Sequence, residues 1–306
     1  MEMKKVALVG LGAIGSVYAI HLTKGLGENF AVVAGGKRAE RIRQNGEKLN
    51  GELFIPRVVE PGDESFKADL IIFSTKNYHL EQALEDVKSL VYDKTVFLPI
   101  INGVSARDRI KAVYKDNTVL YGLCKTDAEK KADGVECTWE GQIQFGEADN
   151  TNMTEEVKAI KALFDACNIK NEVHDDMMRD LWHKFMVNVS VNQLSAITGA
   201  PYGAFLSIPE LNDALHQVMA EVVGLANAKG INLKTEDIDE YIGRMKGSDP
   251  NGFSSMAQDV RAQRKTEVDY FAGTMIQYGK EINFPTPWND RLYLLIKTKE
   301  KLYGVK

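Results

Sequence analysis

The sequence predicts an α/β protein with a doubly wound parallel sheet and a second, all-helical C-terminal domain. Strand-like apolar runs alternate with helical patterns in the first half of the chain. Beyond about Asp175 the strand patterns largely vanish and 3.6-residue periodicity takes over. With 306 residues, the chain is long enough for two packed cores.

The first domain is predicted to open with a strand, a helix and a second strand. The run from Lys4 to Gly10 is continuously apolar after its two lysines, which is typical of a strand buried on both faces. Further strands are expected over 30–33, 70–74, 95–99 and 118–122, with helices over 14–24, 78–90 and 106–113. Glycines at 134 and 141 predict a hairpin over 132–145 that closes this domain.

The second domain is predicted from long helical patterns alone. These cover residues 178–198, 210–229, 236–245, 255–278 and 287–303. We place the boundary between Asn171 and Asp176, which gives domains of residues 1–174 and 175–306.

Composition narrows the range of functions. Lys and Arg total 38 against 43 Asp and Glu, a net charge of −5 with no basic patch, so no nucleic-acid partner is expected. The apolar runs are too short to span a membrane, and the first strand starts too early for a cleavable signal peptide, so a cytoplasmic location is expected. Cys124, Cys137 and Cys167 are predicted to be reduced thiols, and no His or Cys spacing predicts a metal site.

A glycine-rich loop follows the first strand and opens a helix. It reads Gly10-Leu11-Gly12-Ala13-Ile14-Gly15. In such a loop the first glycine allows a tight turn, the second allows close approach of a pyrophosphate, and the third allows close packing of helix on strand. The helix N-terminus attracts the anion. The sequence therefore predicts a Rossmann-type dinucleotide-binding domain, with a site at the carboxyl ends of its strands, rather than a merely structural turn.

The end of the second strand bears on the choice of cofactor. An Asp or Glu there usually binds the ribose of NAD, but the sequence reads Val33-Ala34-Gly35-Gly36-Lys37-Arg38 and has no carboxylate before Glu40. Lys37 and Arg38 could pair with a 2′-phosphate, so NADP(H) is favoured. The alternative is that both cations belong to a solvated helix start.

In the helical half, Lys184, Asn188 and Asn192 lie at i, i+4 and i+8, which places them on one face of a predicted helix. Their neighbours are almost wholly apolar, and Asn is a mediocre helix former. Recognition of a small polar ligand would explain the pattern. A buried hydrogen-bond network between helices is the alternative.

A second polar group runs from Ser254 and Ser255 to Glu267. Ser254 is a candidate N-cap. In one continuous helix, Ser255 and Glu267 would be about 18 Å apart, so one substrate could reach both only if the helix bends or breaks. Asp259, Arg261 and Arg264 are explained equally well by exposed ion pairs.

Taken in order, these segments resemble the ketopantoate reductase family of NADPH-dependent enzymes over nearly the whole chain. The likeness is carried by the glycine loop, Ser74-Thr75-Lys76, Asn102-Gly103, the 184–192 helix and the stretch from Ser254 to Asp269. The resemblance implies that Lys184 is catalytic and gives a proton to the ketone oxygen, and that Glu267 lies near the substrate hydroxyl. It also implies that substrate is bound by Asn188, Asn192 and Ser255, and that Lys76 and Asn102 contact cofactor or substrate.

The chain departs from the family pattern at two places. Gly35 stands where members commonly have Arg, and Pro201-Tyr202-Gly203 stands where members can have Pro-Asn-Gly. The resemblance implies reduction of 2-dehydropantoate to (R)-pantoate for pantothenate and coenzyme A synthesis. The alternatives are reduction of another branched 2-oxo acid, which Tyr202 suggests, and a non-catalytic NADP-sensing protein. A homodimer is compatible with each of these.

Overall fold

The computed structural model describes residues 3–305 and divides them into two compact units. The first unit runs to Asn102 and resumes over Ala106–Met178, and the second contains Gly103–Ser105 and continues from Arg179. The boundary that the sequence predicts after residue 174 stays a prediction. No helix within residues 3–305 combines the length and the apolar character needed to cross a membrane.

All ten strands found in this part of the chain belong to the first unit. They are β1 Val6–Val9, β2 Phe30–Val33, β3 Glu47–Leu49, β4 Glu52–Phe54, β5 Arg57–Val59, β6 Leu70–Phe73, β7 Val96–Pro99, β8 Tyr121–Lys131, β9 Gly134–Gly146 and β10 Asn171–Glu172. Five of them form a parallel sheet in the order β5-β2-β1-β6-β7. This confirms the predicted doubly wound sheet, with β1 at its centre.

The parallel sheet is buried on both faces over β1, β2, β6 and β7, which are apolar at every position, whereas the edge strand β5 begins with the exposed Arg57. Leu8, Val32 and Ile72 join a core on one face, and Ala7 and Ile71 join a core on the other. The helices of this unit are α1 Ala13–Leu26, α2 Gly36–Asn45, α3 Leu80–Asp86, α4 Ala106–Val113 and α5 Glu155–Ala166. Successive residues of a strand therefore supply both cores, as expected for a central strand of this class.

A second sheet in the same unit has the order β10-β9-β3-β4, with β8 paired to β9. The expected hairpin at 132–145 is present but longer, because β8 and β9 pair from Tyr121 and Gly146 to Lys131 and Gly134. The prediction that residues 118–122 add a strand to the parallel sheet is wrong. Val119 makes only an isolated bridge to Phe97, and from Tyr121 the chain pairs with β9 instead.

The second unit is helical. Its helices are α6 Met177–Val187, which begins just before the division, α7 Gln193–Thr198, α8 Ala204–Ser207, α9 Pro209–Ala228, α10 Glu236–Met245, α11 Ser255–Arg261, α12 Ala272–Ile282 and α13 Pro287–Leu302. Between α6 and α7 the chain stays helical but has π-helical hydrogen bonding over Asn188–Asn192, here called the π segment.

Two of the predicted helices differ from the structure. The helix expected over 178–198 contains the π segment, so its residues do not follow one α-helical period. The helix expected over 255–278 is broken: α11 ends at Arg261, a 3-10 turn covers Val268–Tyr270, and α12 follows. The break has a local cause, because Gln263 has φ of 54° and the Arg264 amide donates back to the Asp259 carbonyl at 2.8 Å.

Candidate active site

The glycine loop after β1 has the close contacts that its spacing predicts. Gly10 has φ of 103°, and a Cβ there would lie 2.8 Å from the backbone of Ser74. A Cβ on Gly15 would lie 1.9 Å from the Gly10 carbonyl oxygen, whereas a Cβ on Gly12 would meet nothing within 4 Å. Gly10 and Gly15 are therefore required by the fold, and Gly12 leaves open space in front of the backbone.

The N-terminus of α1 is suited to an anion. Gly12 precedes the helix, no side chain among the described residues caps it, and its first turn carries no acidic residue. Leu11 is buried in the core, and Ala13 and Ile14 are half-buried, so this loop offers backbone amides rather than polar side chains. A pyrophosphate fits such a cradle.

At the end of β2, the neighbour of β1, a second helix start has the same character. Gly35 precedes α2 without a side-chain cap, and the first turn contains no acidic residue. Lys37 and Arg38 are exposed in that turn. The charged residues in this first turn are Lys37 and Arg38, and positive charge fits a phosphate better than a ribose hydroxyl.

The loop after β6 is fastened to the glycine loop. The Ser74 hydroxyl donates to the carbonyl oxygens of Val9 and Gly10, at 3.2 and 2.7 Å. Lys76, two residues further on, is half-buried. The Ser74-Thr75-Lys76 segment is thus held in register with the proposed pyrophosphate site.

Asn77 joins the loops after β6 and β7, and sequence reasoning missed it. It is fully buried, and its side-chain amide donates to the Asn102 carbonyl at 2.7 Å. Arg109 in turn donates to the Asn77 side chain and carbonyl, at 3.2 and 2.8 Å, and pairs with Glu81. A buried Asn that holds a neighbouring loop gives no periodic pattern; its only sequence signal is its place directly after Lys76.

In the second unit, Lys184 and Asn188 are half-buried and Asn192 is 7% exposed. The Nδ2 atom of Asn188 is buried and has no hydrogen-bond partner among residues 3–305. A buried amide left without a partner costs about 1–3 kcal/mol. The Nδ2 donor of Asn188 therefore takes no part in the buried network that was the alternative explanation, and this donor is available to a ligand.

Ser254 and Ser255 begin α11, which packs against α7 and the π segment. The Ser254 hydroxyl accepts from the Ala257 amide at 3.3 Å, which confirms it as the N-cap. Ser255 is exposed at the first position of the helix. Of the charged residues, Arg264 pairs with Asp259 at 3.0 Å, and Arg261 lies over the Phe253 ring. The predicted ion pairing is present for Arg264 and Asp259, but the pair is not exposed as expected, because Asp259 is buried.

Glu267 lies in the broken segment before the 3-10 turn and is 3% exposed. Because the helix is interrupted, the expected 18 Å separation from Ser255 does not apply. The preceding Thr266 is clamped by Glu300, whose carboxylate accepts from its amide and its hydroxyl, each at 2.7 Å. Phe271, just after the turn, packs edge-on against Phe185 of α6 with ring centroids 6.4 Å apart. Residues on α13 and α6 thus fix the segment that carries Glu267.

Lys297 and Asp269 add further polar contacts around Glu300. Lys297 pairs with Glu300 at 2.9 Å and with Asp269 at 3.2 Å, and Tyr293 donates to Asp269 at 2.9 Å. Burial opposes the charge of Lys297, but the two carboxylates outweigh it and raise its pKa. The lysine therefore stays a cation that balances two carboxylates.

Taken together, the parallel sheet, its glycine loop and the helical C-terminal unit define a Rossmann-type α/β protein of the dehydrogenase kind. Family models described as ketopantoate reductase PanE/ApbA and its C-terminal region match residues 6–150 and 176–300. The chain belongs to the ketopantoate reductase family, which is a family of oxidoreductases.

Relatives agree with this assignment over their full length. The 2-dehydropantoate 2-reductase of Pyrococcus horikoshii is 29% identical over 303 residues, which cover 98% of this chain and 99% of the relative. A ketopantoate reductase structure from Ralstonia eutropha is 26% identical, with a TM-score of 0.85 over 98% of this chain and 99% of that one. D-mandelate dehydrogenase, solved with NADH and anilino(oxo)acetate, has a TM-score of 0.88 at 23% identity, over 99% of this chain and all of that one.

Proposed function

We propose that this protein reduces 2-dehydropantoate to (R)-pantoate with NADPH. The observation that carries the proposal is the buried, unpartnered Nδ2 of Asn188 one helical turn from Lys184. A helix that places an amide donor without a protein partner beside an amine is suited to a small polar substrate. The relatives named 2-dehydropantoate 2-reductase support this choice of substrate.

The bound cofactor would supply a hydride to the carbonyl carbon of the substrate. Gly10, Gly12 and Gly15, with the backbone of Leu11, Ala13 and Ile14, would hold its pyrophosphate. Lys76 and Asn102, on loops joined through Asn77, would contact cofactor or substrate.

Lys184 would protonate the ketone oxygen. A free lysine has a pKa of about 10.4, so it carries a proton to give at neutral pH, and its charge stabilises the developing alkoxide. Asn188, Asn192 and Ser255 would bind the substrate. Glu267, whose segment is clamped by Glu300, would accept from the substrate hydroxyl.

The preference for NADPH over NADH would rest on Lys37 and Arg38. Both are exposed at an uncapped helix start with no competing carboxylate in the first turn. They would replace the Arg that family members commonly have at the position of Gly35.

A second candidate keeps the same machinery but takes another 2-oxo acid. Tyr202 favours it: the Tyr202 amide donates to the Gly252 carbonyl at 2.9 Å, and a Cβ on Gly252 would lie 3.0 Å from the Tyr202 ring. The ring thus lies against the segment that leads into Ser254 and Ser255. An aromatic group there suits a substrate with an apolar substituent, and D-mandelate dehydrogenase has a similar fold.

A non-catalytic NADP sensor is the less favoured candidate because a sensor needs neither Lys184 nor Glu267. We also propose a homodimer, which a dimeric ketopantoate reductase of similar fold from Staphylococcus aureus supports. The cytoplasmic location stays a prediction.

The test is the oxidation of NADPH in the presence of 2-dehydropantoate, repeated with NADH and with a panel of branched and aromatic 2-oxo acids. Fast turnover of 2-dehydropantoate with NADPH is the expected result. Turnover of another 2-oxo acid alone would select the second candidate. Tight NADPH binding without any turnover would favour the sensor.

A further inference from the structure

A buried chain of polar side chains runs from the end of the π segment to two distant helices. The Gln193 side chain donates to the Val189 carbonyl at 2.6 Å and to the Asn289 side-chain oxygen at 3.0 Å. Asn289 donates from its own side chain to Glu221 on α9 at 2.8 Å. Gln193 and Asn289 are fully buried.

The carboxylate at the end of this chain fixes the orientation of every amide in it. An ionised Glu221 only accepts hydrogen bonds, and it also accepts from the backbone amides of Trp288 and Asn289, at 2.8 and 3.1 Å. Asn289 must therefore turn its NH₂ group towards Glu221 and its oxygen towards Gln193. Gln193 must then point its own NH₂ group towards Asn289 and Val189.

The Gln193 side chain of this chain also supplies a hydrogen bond to a backbone carbonyl that loses its α-helical partner in the π segment. In a continuous α-helix the Val189 carbonyl would accept from the backbone amide of Gln193, but that amide donates to Ser190 instead. The Gln193 side chain takes its place. Independently of this chain, the hydroxyl of Ser190, in the middle of the segment, donates to the Met186 carbonyl at 2.6 Å.

The π segment changes which residues share a face with Lys184. Four residues of an α-helix turn about 40° beyond a full turn, so Asn192 would be about 80° away from Lys184 on a regular helix. A π-helix has i to i+5 hydrogen bonds and hence more residues per turn, so four of its residues do not pass a full turn. The angular offset of about 40° around the helix axis between Lys184 and Asn188 therefore does not grow further between Asn188 and Asn192.

We infer that Gln193, held by Asn289 and Glu221, is a positioning residue that maintains the π segment and thereby keeps Asn192 on the side of the helix that carries Lys184 and Asn188. This inference rests on the proposed function for its effect on turnover. It assigns no contact between Gln193 and substrate.

The test compares Gln193→Met, which keeps the length but loses the hydrogen bonds, with Asn289→Ala, which breaks the chain without touching the π segment. Ser195→Ala is the matched control, because Ser195 lies in α7 outside the π segment and its buried hydroxyl donates to the Ala200 carbonyl just after that helix. We expect both test variants to raise KM for the 2-oxo acid about tenfold or more, as for a lost hydrogen bond to a displaced partner, with NADPH affinity unchanged. A merely structural role would lower kcat with the folded fraction and leave KM alone.

Amide hydrogen exchange over residues 188–194 provides a readout that needs no substrate. Faster exchange there in Gln193→Met and Asn289→Ala, but not in Ser195→Ala, supports the inference. Unchanged exchange together with an unchanged KM would overturn it. A wild-type protein that turns over no 2-oxo acid would remove the proposed function, while the exchange result would still decide whether Gln193 holds the π segment.

Discussion

The glycine loop of the first unit and the helix of the second unit that carries Lys184 and the π segment would recognise their proposed ligands in opposite ways. The loop offers backbone amides, and its shape is set by neighbours a few residues away, such as Gly10 against Gly15, and by Ser74. The helix offers side chains, and its pitch is maintained by Gln193, Asn289 and Glu221 from three separate helices. Recognition by backbone can be encoded in a short motif, whereas recognition by side chains on a modified helix requires contacts distant in sequence.

The largest expected effect separates the two regions directly. Lys184→Ala removes the proposed proton donor and leaves the glycine loop unchanged. We expect turnover to fall by about 10² or more, the usual contribution of a general acid, with NADPH affinity nearly unchanged. Steady-state kinetics and a cofactor titration check this.

Lys280→Ala is the control for the loss of a lysine, because Lys280 is exposed on α12 of the same unit. It is expected to keep full turnover. Equal activity of Lys184→Ala and the wild type would exclude Lys184 from the mechanism.

The difference between the two regions also explains what the sequence could predict. The loop, its strand and its helix follow from the glycine spacing, and the structure has the required close contacts at Gly10 and Gly15. The π segment and the break after Arg261 could not be predicted, because the apolar periodicity continues through both. The π segment depends on Gln193 meeting Asn289, 96 residues away in the chain. The break depends on a positive φ at Gln263 and on the Arg264 amide donating back to the Asp259 carbonyl, neither of which apolar periodicity shows.

A pair of glycine variants tests whether Gly15 is needed for the stability of the fold and Gly12 for cofactor binding. Gly15→Ala places a Cβ 1.9 Å from the Gly10 oxygen, so the backbone must move. We expect it to lower the free energy of unfolding by about 3 kcal/mol, the upper end of ordinary overpacking. Gly12→Ala meets nothing within 4 Å and should leave stability within about 0.5 kcal/mol while weakening NADPH binding.

Urea unfolding and cofactor titration measure both effects, and each variant serves as the control for the other. Equal losses of stability in the two variants would contradict this division of roles. An unchanged NADPH affinity in Gly12→Ala would also contradict it.

In the helical unit, Asp237 at the start of α10 tests how far the stability of the fold depends on polar contacts between residues distant in sequence. Arg179 of α6 donates to its two carboxylate oxygens at 2.7 and 3.0 Å, and the Lys234 amide donates at 2.7 Å. Burial opposes the charge of Asp237, but these hydrogen bonds outweigh it and lower its pKa. We expect Asp237→Asn to lower the free energy of unfolding by about 1.5–3 kcal/mol at neutral pH, which is the usual contribution of hydrogen bonds to a charged group.

The pH dependence of this cost follows from the lowered pKa. The folded protein binds the Asp237 proton more weakly than the unfolded chain, so the stabilisation is complete above the unfolded pKa of about 3.9. It is lost as the pH falls through the folded value. The difference in free energy of unfolding between the wild type and Asp237→Asn, measured by urea unfolding, should therefore vanish in acid. Asp239 is exposed, so the control Asp239→Asn should differ little from the wild type at any pH.

The smallest expected effect concerns Lys37 and Arg38, the two cations of the first unit that we propose to favour NADPH over NADH. Lys37→Ala with Arg38→Ala removes both cations from the start of α2 and keeps the glycine loop. If they pair with the 2′-phosphate, NADPH should lose about tenfold in affinity or more while NADH changes little, since a hydrogen bond to a charged group contributes about 1.5–3 kcal/mol. Arg43→Ala, in the last turn of the same helix and paired with Glu60 at 2.6 Å, controls for the general loss of positive charge. Parallel weakening of both cofactors would mean that the two cations act on the pyrophosphate through their charge alone, and selectivity would then have to arise elsewhere in the unit.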